Sequence, residues 1–299
     1  MKLFNKKTIC AVRLSHNPII TDGLSNTLED NINGPSLIHT PSWIPEPLGK
    51  YYLYFAHHKG KYIRLAYSDT LEGPWEIYEP GTLKIEETIC RKHIASPDVH
   101  IDNNNQLIRM YFHGPVSNRE KQASFVAVSK DGIHFEASSE VLGNSYFRIF
   151  QWHDHFYAMA RLGQLYRSRD GMKNFEMGPN PFDRLFSRSR VRHVAVFVKN
   201  EILYIFYSRI GDKPECILLS TIKLNTEWSK WKASKPIVIL WPEKDYEGVK
   251  LPLKASSTGM ASEPVRQLRD PAVYYEDEML FILYSIAGEK GIAIAKINV

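Results

Sequence analysis

Histidine, arginine and aspartate recur in this chain where short apolar runs begin or end. In an inert β-rich protein those positions hold Asn, Asp, Gly or Ser turn residues. One set of runs opens on Asn33, Asp98, Arg148, Arg192 with His193, and Arg269 with Asp270. The runs that follow them close on His57 with His58, His113, Arg161, Arg209 with Asp212, and Ser285 with Glu289. Brought to one place, these ends make a ring of carboxylates, imidazoles and guanidiniums. Such a ring can move protons, and it can bind hydroxyls or an acidic group. Asp98 in SPDV and Asp270 in RDPA each neighbour a proline. Asp beside Pro also serves plain turns, but its recurrence in two units points to one shared slot. His193, at the head of RHVAVF, is equally readable as a satisfied core histidine. Alternation turns one of His57 and His58 away from any common centre. The arginines can neutralise the aspartates, or grip a carboxylate or sulfate on a substrate. The histidine spacings match no zinc-ligand pattern, so no metal site is assigned.

Five copies of one unit supply these ends. Each is a short apolar run, a turn, an aromatic-rich run, a loop, and a third run; in three copies the third run ends in Ser-Asp or Ser-x-Asp-Gly. The copies begin at GPSLIHT (34–40), SPDVHID (96–102), YFRIFQW (146–152), RHVAVFVKN (192–200) and RDPAVYYED (269–277). Alternating or densely apolar runs rich in aromatic and β-branched residues, bounded by Gly, Asn and Asp, read as strands. Five units of about four strands predict an all-β, five-bladed β-propeller, with residues 1–299 as a single domain. The first strand of each blade then lines the channel, and its start shares a mouth with the end of the second strand. The fifth copy lacks a strand. TICAVRL (8–14) has no local partner and is expected to complete that blade, leaving no open edge. Two insertions, 41–50 and 241–268, are long enough to be functional or disordered.

Bulk composition narrows the class. The chain has 43% hydrophobic and 24% charged residues and a net charge of +5, with no basic block that would follow a nucleic-acid backbone. Tyr 16, Phe 14 and Trp 6 supply strand residues and stacking surfaces for sugar rings. The three cysteines, Cys10, Cys90 and Cys216, are too scattered for a disulfide framework. No leader and no membrane-length apolar run is seen, so a cytoplasmic protein without a membrane or nucleic-acid partner is expected.

At SPDVHID, RDPAVYY, SDTLEGPWE, SKDGIHF and SRDGMKNF the chain resembles the five-bladed propeller glycoside hydrolases, family 43 above all, with relatives in families 32, 62, 68, 117 and 130. The repeat pattern extends over nearly the whole chain. The resemblance implies a sugar in the central pocket and three carboxyls: a base or nucleophile in blade one, an aspartate in blade two that tunes the acid, and a glutamate acid further round. Asp98 matches the second. In the first slot INGPSLI places Asn33, which cannot act as a base.

Two outcomes follow. In one, the protein is a glycoside hydrolase with a displaced pair: Asp98 tunes, Asp270 is base or nucleophile, and Glu263 or His193 donates the proton. Asn33, His57, His113, Arg148, Arg161, Arg192, Arg209 and Arg269 then bind a small carbohydrate that carries hydroxyls or an acidic group. In the other, the ring binds sugar without cutting it. A protein-interaction scaffold is a weaker third reading, since it needs no titratable ring. No cofactor is required, although a central calcium or other ion is compatible with the fold.

Overall fold

The computed structural model describes residues 9–116, 122–183, 185, 190–225 and 227–298. Five antiparallel sheets stand round a central channel. Blade one is built from Asn33–His39, Tyr51–Ala56, Arg64–Ser68 and Glu76–Tyr78; blade two from Ala95–Asp102, Leu107–Pro115, Gln122–Ser129 and Glu136–Ala137, with Gly143–Asn144 added to its third strand. Blade three holds Arg148–Trp152, His155–Met159, Leu165–Ser168 and Glu176–Met177, and blade four Val191–Lys199, Ile202–Arg209, Ile217–Lys223 and Ile237–Leu240. Blade five holds Arg269–Glu276, Met279–Ser285 and Gly291–Ile297.

The sheets are apolar on both faces, because each packs between two others. Five buried clusters result, one at each junction between adjacent blades. Tyr54, Leu65, Ile108 and Phe125 fill the junction of blades one and two, and Leu53, Phe55, Leu283 and Ile294 that of blades five and one. A continuous circle of such junctions is possible only if the last blade meets the first.

The chain's start makes that closure. Ala11–Arg13 pairs antiparallel with the third strand of blade five, Arg13 opposite Ala295, and supplies the missing fourth strand, as the sequence predicts. Thr8, in the same predicted run, lies outside the described residues. Asn17 extends the pairing with its side chain. Its Nδ2 donates to the Ile294 carbonyl at 2.8 Å, and its Oδ1 accepts from the Ile294 N–H at 2.8 Å.

Four of the five innermost strands carry the same irregularity at their start. Asn33 faces Ala56, but Ser36 faces Tyr54; Ala95 faces His113, but Asp98 faces Tyr111. Val191/Val194 and Arg269/Ala272 repeat the step. One extra residue on the inner strand is a β-bulge, a device that re-aims a side chain. The bulged residues Gly34, Ser96 and Asp270 have φ of 62°, 51° and 46°. Each is followed by a proline, whose missing N–H costs nothing where the ladder is already broken. Register thus aligns Asp270 with Ser96 and Gly34, while Asp98 aligns with Ala272 and Ser36. The single slot expected for Asp98 and Asp270 is corrected: they sit on opposite sides of the proline. The residue in blade one that corresponds to Asp270 is Gly34, which has no side chain, and not Asn33.

Candidate functional site

The bulged ends of blades four and five meet at one mouth of the channel. Asp270, Arg269, Arg192 and His193 are each at most 6% exposed, and Glu215 and Glu289 are fully buried. Arg269 links the two glutamates: its Nε lies 3.1 Å from Glu215 Oε2 and its Nη1 2.8 Å from Glu289 Oε1. Arg192 Nη1 reaches the same Glu215 oxygen at 3.3 Å. His193 Nδ1 rests 2.6 Å from Asp270 Oδ1, off the line of a regular hydrogen bond. Asn31 Nδ2 donates to Glu289 Oε2 at 2.7 Å, and His58 Nδ1 lies 3.5 Å from it. A left-handed φ at an aspartate costs on the order of 1–3 kcal/mol and persists where the surroundings hold it, which marks Asp270 as a functional candidate.

The three carboxyls differ in their environments. Burial pushes Glu215 up, and Arg192 and Arg269 only partly offset it. Ser208 adds to that offset, although neither its hydroxyl nor Glu215 Oε1 makes a hydrogen bond of regular geometry. Burial also pushes Asp270 up, but His193, Arg192 and Arg269 outweigh it and hold Asp270 well below the usual carboxylate range. Glu289 is held at about 2: burial raises it, and the His58 contact and Arg269 overcome that. Burial lowers His193 to about 4 despite Asp270, so at neutral pH the pair is a neutral imidazole against a carboxylate.

These shifts fix a pH dependence of stability. His193 has a lowered folded value, so its contribution is complete above about 6.5 and is lost as pH falls through about 4. Glu289 follows between about 4.5 and 2. Acidification from pH 6.5 to 4 is expected to remove on the order of 3 kcal/mol through His193. Urea unfolding at stepped pH checks this. His193→Asn should flatten that limb, and an unchanged limb would show that His193 is not buried neutral.

Above these groups lies a cavity of about 180 Å³. His58, Tyr146, Arg161, Arg192 and His193 line it, together with Thr258 and Gly259 of the long loop. Tyr146 lies between His113 and His193, with ring centroids at 4.1 and 4.8 Å. The segment 257–259 sits on the same guanidiniums, since Arg192 donates to the carbonyls of Ser257 and Gly259. The insertion 241–268 is therefore an ordered part of this mouth. The insertion 41–50 follows His39 and lies at the far end of blade one.

The predicted residues divide accordingly. Asp270, His193, Arg192, Arg269 and Arg161 come together, and Asn33 joins them through Asn31, at 2.8 Å. His113 is buried behind Tyr146 with Nδ1 unpaired. Asp98 does not join. It accepts from the Ile149 N–H at 2.7 Å, lies 2.8 Å from His100 Nε2, and lines a separate cavity toward the other mouth, with His39 and Glu276. Arg148 spans the channel to the carbonyls of Pro97 and Val194. His57 turns outward to Glu29 at 3.3 Å, and it is His58 that faces the cavity. Arg209 pairs with Asp212 at 2.9 Å, and Glu263 is exposed on the long loop. Glu215 was not among the expected residues. Its signal is an acid directly ahead of a wholly apolar run, PECILLS. Among the described residues no group of three or more His, Cys, Asp or Glu could hold a metal ion.

The chain is 37% identical over 319 residues to an uncharacterized protein of Acanthamoeba polyphaga mimivirus, across 96% of this chain and 90% of that protein. The chain belongs to that viral protein's family. No family model matches the sequence. Solved structures resemble this chain in fold. A thermostable family-43 glycoside hydrolase superposes with a TM-score of 0.61 at 16% identity, over 90% of this chain and 89% of that one. A family-43 β-xylosidase/α-arabinofuranosidase from a compost microbial metagenome, solved with xylotriose, gives 0.64 at 12% identity over 95% and 94%. An α-L-arabinanase of Cellvibrio cellulosa, solved with arabinohexaose, gives 0.57 at 14% over 89% and 91%. The chain thus shares the five-bladed propeller fold of the family-43 glycoside hydrolases at low sequence identity.

Proposed function

We propose that this chain is a carbohydrate-active enzyme that cleaves a glycosidic bond at the Asp270 mouth of the channel. Asp270 is the base or nucleophile and Glu215 the proton donor. One observation carries the reading: two buried carboxyls share the guanidiniums Arg192 and Arg269, yet one is driven toward the proton-bearing form and the other toward the anion. Glycoside hydrolysis needs that division, one carboxyl to protonate the leaving oxygen and one to attack or to activate water. His193, neutral at physiological pH, orients Asp270 and is not itself the acid. Both carboxyls lie behind the cavity wall, so a sugar reaches them by displacing the segment 257–259. The fold shared with proteins crystallised with xylotriose and arabinohexaose adds support.

Turnover of a panel of aryl glycosides of both anomeric configurations tests this. Asp270→Asn should lower the rate on any accepted substrate by roughly a thousandfold or more. A rate equal to that of the unaltered protein would remove Asp270 from the mechanism. Gly34 in the Asp-Pro slot of blade one favours a second reading, a propeller that binds sugar without cutting it. Binding without turnover across the panel is the result that selects it.

A further inference from the structure

The cavity at the Asp270 mouth has a chemistry of its own. Among the described residues no carboxylate lines it. Its wall carries Arg161 and Arg192 with His58, His193 and Tyr146. Arg161 is fixed at the end of the second strand of blade three, where its N–H donates to the Ser145 carbonyl at 2.9 Å. Its guanidinium is exposed and has no carboxylate partner among the described residues. Every other arginine of this mouth is engaged: Arg192 with Glu215 and two carbonyls, Arg269 with Glu215, Glu289 and Gln267.

The charge count points the same way. The cavity wall carries two guanidiniums, Arg161 and Arg192, and no carboxylate among the described residues, while the buried Glu215 and Glu289 are engaged by Arg192 and Arg269 behind it. The site is left with a positive excess on the cavity side. Its volume of about 180 Å³ is below the ~300 Å³ at which pockets for drug-sized ligands begin, and suits one sugar ring.

We infer that the cavity takes an anionic monosaccharide unit, a uronic acid or a sulfated sugar, with its acidic group bound by Arg161. A guanidinium presents a planar pair of donors that a carboxylate or sulfate accepts bidentately, and the bond strengthens as the ligand excludes water from it. This inference rests on the reading that the mouth binds a sugar, and it goes further by naming the class.

Isothermal titration of the full chain tests it with glucuronic and galacturonic acids, glucose 6-sulfate, their neutral parents glucose and galactose, and sodium sulfate alone. The acidic sugars should bind about tenfold or more tightly than the neutral parents. Arg161→Met should erase that preference and Arg161→Lys should keep part of it, with unfolding midpoints unchanged because the exposed side chain makes no ion pair among the described residues. A preference for the uronic acids or for the sulfate ester identifies which acidic group is read. Neutral sugars that bind as tightly as acidic ones, or a preference untouched by Arg161→Met, would overturn the inference and leave the sugar reading standing. Sulfate binding as tightly as the acidic sugars overturns it as well, by reducing the site to a bare anion site. No binding by any sugar overturns it together with the reading beneath it.

Discussion

Glu215→Gln is expected to cut turnover about a thousandfold while leaving the protein as stable as before. The stability half follows from the burial of Glu215, which favours its neutral form. An amide is the closest neutral mimic of that form, retaining one oxygen for Arg192 and Arg269. The change should therefore lie within about 1 kcal/mol by urea unfolding. The activity half follows from what the amide lacks. It cannot deliver a proton to a departing oxygen, and general-acid catalysis contributes typically about 10²–10⁴-fold. The defect should also depend on the leaving group. Activated aryl glycosides, whose phenolate departs unaided, should lose least, and alkyl glycosides most. A uniform loss across leaving groups would mean that Glu215 only positions Arg192 and Arg269, and that the proton comes from elsewhere.

The second large effect concerns ring closure. Glu247 is fully buried and accepts from Arg13 Nε at 2.6 Å, Arg13 Nη2 at 3.0 Å and the Tyr284 hydroxyl at 2.8 Å. The main-chain N–H groups of Glu243 and Lys244 donate to it as well. One carboxylate therefore ties the closing strand, the second strand of blade five and the long loop that reaches the site. Arg13→Met strands that charge among neutral donors, and breaking a buried pair from one side costs about 3–5 kcal/mol. Arg13→Met with Glu247→Leu should cost less than Arg13→Met alone, because the double change leaves no uncompensated charge. Urea unfolding reads both. A single variant within 1 kcal/mol of the unaltered protein would show that the closing strand holds without this pin.

The blades were legible in the sequence because their information is local. YYLYFAHH, EILYIFYSR and EMLFILYSI alternate or are densely apolar over single strands, and the same unit recurs five times. TICAVRL could be assigned to the last blade because it was a strand without a neighbour. The site was less legible because it depends on register and on contacts between blades. Asp98 and Asp270 look alike beside their prolines, yet the bulge places one before and one after the break, so their side chains leave at different depths of the channel. His57 and His58 differ by one step of alternation, and only the fold decides which turns inward. Glu263 was reached by following the chain back from RDP, whereas Glu215 is carried in by blade four. Its partners Arg192 and Arg269 are 23 residues before and 54 residues after it in the chain.

The most direct measurement is a crystal structure of the Glu215→Gln variant soaked with an oligosaccharide bound by the protein. A sugar ring is expected beside Arg161 and Tyr146, with the segment 257–259 displaced and the glycosidic oxygen within hydrogen-bonding reach of the side chain at position 215 and facing Asp270. A sugar seated only at the opposite mouth, among His39, Asp98 and Glu276, would contradict this placement.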